Sequence, residues 1–135
     1  MRAVAPLVAR WHSVDRPELV PLLARHAPGV PALVQVNVAG EATKGGCTPA
    51  AAPALVDALR DAGVPVDGLM TVPPAARDPA PYFDALRRLA EGLGLAELSM
   101  GMTGDFEVAV AHGATIVRVG TAVFGPRPHP ADLRR

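Results

Sequence analysis

Ala32-Leu33-Val34-Gln35-Val36-Asn37-Val38 is an apolar run without strict alternation, followed by a polar, glycine-rich loop from Gly40 to Cys47 and then by Thr48-Pro49. Such a run predicts a strand buried on both faces, as in a parallel sheet covered by helices. Thr48-Pro49 reads as the N-cap and first residue of a helix through Leu55, Leu59 and Asp61, which Gly63 ends. Strand, loop and crossover helix make one β/α unit.

The unit recurs on both sides. Upstream, Leu7 to Val14 is a strand closing at Asp15, and Pro17 opens a helix whose stripe is Leu19, Val20, Leu22 and Leu23 up to His26. Downstream, Val66 to Val72 is a strand, Pro73-Pro74 to Pro81 a loop, and Tyr82 to about Leu93 a helix with Phe83, Leu86, Leu89 and Ala90 on one face. A fourth strand, Glu97 to Met102, leads through Asp105 as N-cap into Phe106, Val108, Ala109 and Val110, with a stop at Gly113. A fifth, Thr115 to Gly120, precedes Thr121-Ala122-Val123-Phe124-Gly125 and a Pro-rich end. No linker divides residues 1–135, so a single domain is expected. Five such units suit either an open doubly wound sheet or part of a (β/α)8 barrel. A whole barrel normally takes about 200 residues or more, so 135 residues do not close one unaided.

Composition narrows the function. Thirteen Lys+Arg balance 13 Asp+Glu, half of the residues are hydrophobic and 4% are aromatic. A nucleic-acid binder is expected to carry a basic face with interleaved aromatics, and this chain has neither. No apolar run reaches the roughly 18 residues of a membrane span. One cysteine, Cys47, excludes a disulfide scaffold. His12, His26, His112 and His129 lack metal-ligand spacing. The start of the chain has no secretory-signal pattern, so the cytoplasm is the expected compartment.

Two segments carry chemistry. Ser99-Met100-Gly101-Met102-Thr103-Gly104-Asp105 runs from a strand end through a Gly loop into a helix, an arrangement that directs backbone N–H groups at an anion. Arg118-Val119-Gly120-Thr121-Ala122 repeats the device one unit later, and in barrels a phosphate commonly sits between the loops of the last two strands. Arg118 lies in an otherwise apolar strand and needs an acceptor, either an internal carboxylate or a ligand. The single lysine, Lys44, sits in the loop Asn37 to Gly46, where a solvated side chain is the simplest reading. His12-Ser13-Val14-Asp15 is no hydrolase relay, because consecutive strand residues alternate faces.

Taken together, these residues resemble the pyridoxal phosphate homeostasis proteins, the YggS/PROSC family, which share the barrel of the alanine racemase N-terminal domain. The resemblance rests on His12 to Arg16, Gln35 to Glu41 with Lys44-Gly45-Gly46, Gly68-Leu69-Met70, Leu98 to Thr103 with Asp105, and Val117 to Ala122 with Phe124-Gly125. It implies an α/β fold made of the C-terminal five β/α units of an incomplete (β/α)8 TIM barrel. It also implies a pyridoxal 5′-phosphate (PLP) site: Ser99 and the backbone of Met100 and Gly101, with Gly120 and Thr121, on the phosphate, and Arg118 facing the pyridine nitrogen. Thr103 stands where the family usually has Ser.

Family members also carry an N-terminal helix and three further strands with the lysine that forms the Schiff base, and no residues of this chain match them. Lys44 matches a loop lysine of the family and not that one. The expectation is therefore a non-catalytic PLP carrier or regulator in vitamin B6 homeostasis, impaired in covalent binding. A racemase-like enzyme is the alternative, and it needs a lysine and a second acid/base residue that these motifs do not supply. A non-binding remnant that completes its sheet with another chain is the other alternative. Unpaired sheet edges would favour self-association.

Overall fold

The computed structural model describes residues 3–126; His129 and the Pro-rich end lie outside them. Four strands, β1 (Trp11–Val14), β2 (Ala32–Gln35), β3 (Val66–Met70) and β4 (Glu97–Ser99), form one parallel sheet in the order β1-β2-β3-β4. Between them run α1 (Val20–His26), α2 (Ala52–Asp61) and α3 (Ala80–Gly92), and after β4 come α4 (Phe106–Ala111) and the single turn α5 (Thr121–Phe124). The β/α repeat read from hydrophobic patterning is thus present, with strands shorter than the apolar runs that announce them.

The register sorts residues onto two faces. Val34, Leu69 and Leu98 are partners across β2, β3 and β4, and all three belong to the core beneath the helices. Leu23, Leu59, Phe83 and Leu86 meet them there, each with no exposed surface. The opposite face carries Gln35, Met70 and Ser99, again in register, and this is the face a barrel would turn inward. Gly68 sits opposite Glu97, and a Cβ at Gly68 would run into the Glu97 backbone, so glycine is what lets β3 and β4 approach there.

The sheet is rolled rather than flat. Neighbouring strands lie about 4.8 Å apart, which would leave β1 and β4 roughly 14 Å apart in a plane. Yet His12 of β1 reaches Ser99 of β4 at 3.0 Å. Curling of this kind is what closes a parallel sheet toward a barrel.

The expected fifth strand differs most. Thr115–Gly120 runs beside β4 but forms one ladder bridge, Ile116 with Ser99, and adds hydrogen bonds from Met100 N to Ile116 O and from Arg118 N to Gly101 O. The ladder stops because its neighbour stops: Gly101 takes φ +92° and turns the chain away from the sheet. Its absent Cβ matters too, since one would lie 2.6 Å from the Ala109 Cβ of α4. Asp105 precedes α4 as expected, but its Oδ1 accepts from Met102 N at 2.6 Å, tightening the loop instead of capping the helix.

Candidate functional site at the carboxyl ends of the strands

Arg118 is the centre of the site. Its Nη1 donates to Ser99 Oγ at 2.8 Å and its Nη2 to the Thr71 carbonyl at 2.9 Å. Thr71, fully buried after β3, in turn donates its hydroxyl to Val36 O at 2.8 Å. Ser99 Oγ also meets His12 Nδ1 at 3.0 Å. β1, β4 and the residues that follow β2 and β3 are therefore joined through one polar chain.

Both described hydrogen-bond partners of the guanidinium are neutral. Among the described residues no carboxylate pairs with Arg118, although the residue is half-buried. Burial pulls its pKa below the ordinary arginine value, with the charge of Asp105 opposing. An arginine stays protonated under such a shift, so the site holds a positive charge that, among the described residues, no carboxylate contacts directly, Asp105 acting on it only at longer range. Of the two acceptors read for Arg118 from sequence, no internal carboxylate is paired with it among the described residues. His12 is shifted downward as well, by burial first and then by the charges of Arg118 and Arg10.

Gly120 and Thr121 open the turn α5 beside this cation, and Ala122 N donates to Thr103 Oγ1 at 3.2 Å, drawing the loop after β4 onto that turn. Ser99, Gly101, Arg118 and Thr103 are thus brought to one end of the sheet, with Gly120-Thr121 adjoining. Ser99, expected at the phosphate, has no exposed surface, and its hydroxyl is engaged with Arg118 and His12. Met100 is likewise enclosed: its side chain lies in the core and its N–H donates to Ile116 O. His12 and Thr103 are site residues that the motif reading passed over, and the signal for each was its place within a matched motif.

Lys44 stands apart. Its Nζ binds Glu41 Oε2 at 2.8 Å and the Pro73 carbonyl at 2.8 Å. Asn37 brackets the same loop, donating to Glu41 O at 2.8 Å and accepting from Glu41 N at 3.1 Å. The loop after β2 is thereby pinned to the loop after β3. No group of three metal-ligating side chains occurs among the described residues, and no helix among them is long and apolar enough to cross a membrane.

Comparison with known proteins gives the chain its kin. The model of the family "Alanine racemase, N-terminal domain" matches residues 3–128. The pyridoxal phosphate homeostasis protein of Pseudomonas aeruginosa is 44% identical over 133 residues, covering 90% of this chain and 58% of that protein. Its namesake in Aquifex aeolicus is 43% identical over 132 residues, covering 87% and 58%. PipY of Synechococcus elongatus, solved with PLP bound, superposes with a TM-score of 0.80 at 31% identity, over 92% of this chain and 64% of its own. The chain spans 58% of the length of the curated relatives it matches first. The resemblance and the partial-barrel architecture read from the motifs agree with all of this, and the chain belongs to the alanine racemase N-terminal-domain family, in the branch of the pyridoxal phosphate homeostasis proteins.

Proposed function

We propose that this chain binds pyridoxal 5′-phosphate and acts as a non-catalytic carrier or regulator of that cofactor in vitamin B6 homeostasis, in the cytoplasm. The observation that carries the reading is the half-buried Arg118 guanidinium, held by Ser99 and the Thr71 carbonyl and paired with no carboxylate among the described residues. A buried cation of this kind is stabilised by an external electron-rich group. The neighbouring donors suit the rest of the ligand: the backbone at Gly101, Gly120 and Thr121 with the Thr103 hydroxyl at the phosphate, and Arg118 at the pyridine nitrogen. Ser99 holds Arg118 from beneath, and Met100 anchors the end of β4 in the core.

Bound PLP supplies an aldehyde and an electron-withdrawing ring. An arginine at the ring nitrogen donates a hydrogen bond and surrenders no proton, which leaves the ring a weaker electron sink than a carboxylate partner would. Arg118 therefore favours holding the cofactor over driving chemistry on it. PLP-bound PipY supports the choice of ligand.

Pyridoxine 5′-phosphate has no aldehyde and so reports the non-covalent contacts alone. Titration calorimetry should show it binding at least tenfold more tightly than pyridoxine, since the phosphate contacts are charge-assisted. Equal affinities would overturn the reading. Leu7 and Phe124, 85% and 86% exposed near opposite ends of the described chain, extend the proposal to self-association with a second copy. Size-exclusion chromatography over a range of concentrations tests this, and a constant monomeric elution volume rejects it.

A further inference from the structure

The Ser99 hydroxyl has one proton and faces two nitrogens, Arg118 Nη1 at 2.8 Å and His12 Nδ1 at 3.0 Å, with no exposed surface. A guanidinium donates and never accepts. The serine oxygen is therefore the acceptor toward Arg118; toward His12 it can either accept from an Nδ1–H or donate its own proton to a bare Nδ1, and only the second arrangement gives the buried serine proton a partner among the described residues. Only a neutral imidazole can take that proton on Nδ1, and its own proton then resides on Nε2.

We propose that His12 is a positioning residue for Arg118, acting through Ser99. As a neutral acceptor, His12 fixes the rotation of the Ser99 hydroxyl, so that the serine lone pairs meet the guanidinium and aim its remaining N–H groups at the ligand side. The positioning itself is a property of the ligand-free chain; its effect on affinity rests on the PLP reading above.

The surroundings favour the neutral imidazole. Arg118 faces it from the segment after the Ile116 bridge, and Arg10 from the residues before β1. Asp67 of β3 and Glu97 of β4 are turned to Arg10, at 3.0 and 3.9 Å, and Asp105 acts on Arg118. Among the described residues no carboxylate pairs with His12 itself. Protonation would turn Nδ1 into a donor, leave the Ser99 proton without its acceptor, and set a second positive charge against Arg118. The guanidinium would then lose its fixed orientation.

Nuclear magnetic resonance of the nitrogen-15-labelled chain without ligand tests this directly. At about pH 7.5 the Nδ1 of His12 should be unprotonated and Nε2 protonated. Exchange of the Arg118 Nη protons should become about tenfold faster as His12 gains a proton, after correction for the intrinsic pH dependence of exchange. His12→Asn, which keeps an uncharged acceptor near the Nδ1 position, should retain slow exchange and abolish the step. His12→Leu should show fast exchange throughout, and pyridoxine 5′-phosphate affinity should fall about tenfold in that variant while holding in His12→Asn. A proton on Nδ1 of the wild type at neutral pH, or Arg118 exchange indifferent to His12, overturns the proposal; the wild-type reading stands even if His12→Leu does not fold. The expected resonances without pyridoxine 5′-phosphate binding would support the positioning and reject the PLP site.

Discussion

Arg118 Nη2 donates to the Thr71 carbonyl at 2.9 Å, which fastens the segment after the Ile116 bridge to the end of β3, across β4. The contact does two things. It neutralises a backbone acceptor that the ladder leaves over, and it holds a positive charge in a half-buried place without cancelling it.

Replacing Arg118 separates those roles. Arg118→Leu loses two hydrogen bonds but also removes a desolvated charge, and these effects oppose one another. Stability should change by no more than about 1 kcal/mol, while pyridoxine 5′-phosphate affinity falls at least tenfold. Chemical denaturation and calorimetry on the same variant decide the matter. A large loss of stability with unchanged affinity would assign Arg118 to the scaffold alone.

Lys44 should behave in the opposite way. Its ammonium is engaged by Glu41 and Pro73 O, both at 2.8 Å, so its place is in loop closure rather than ligand contact. Lys44→Met should leave pyridoxine 5′-phosphate affinity within about twofold, while amides from Glu41 to Cys47 exchange faster with solvent. With PLP and borohydride, intact mass should show no preferential adduct at Lys44. A stoichiometric adduct there would give this lysine a covalent role.

The fold was legible because buried strands and amphipathic crossover helices have different periods, and both periods survive in Ala32 to Val38 and in Phe83, Leu86 and Ala90. The fifth strand was overread. Thr115 to Val119 has the β-branched content of a strand, but a strand also needs a neighbour that continues, and β4 turns away at Gly101. Arg118 was legible as a cation in an apolar run that required an acceptor. That Ser99 serves this cation was not, since its partner His12 lies three strands away and only the curl of the sheet brings the two together.

Gly101 makes the curl and the loop compatible. Gly101→Ala forces a side chain onto φ +92° and sets its Cβ 2.6 Å from that of Ala109. A cost of about 2–3 kcal/mol is expected, from backbone strain together with overpacking. Adding Ala109→Gly removes the clash but not the strain, so the double variant should recover part of the loss relative to Gly101→Ala. Denaturant midpoints of the three variants check this, and strict additivity of the two single changes would show that the residues do not meet.

Acid should loosen the helical layer that carries this loop. Asp84 of α3 lies 2.9 Å from Nδ1 of His112, the residue that ends α4. That hydrogen bond, opposed by desolvation and aided by the charges of His112, Arg87 and Arg88, holds the Asp84 carboxyl below its ordinary 3.8. A carboxylate whose folded value is depressed stabilises the fold above its unfolded value and loses that contribution as pH falls through the folded one. Asp84→Asn should therefore be less stable than the wild type near neutrality, and the gap should close as pH drops below 3.8. Denaturation of both proteins at matched pH measures the gap. A gap that persists undiminished through that window would mean that the Asp84 charge does not hold α3 to α4.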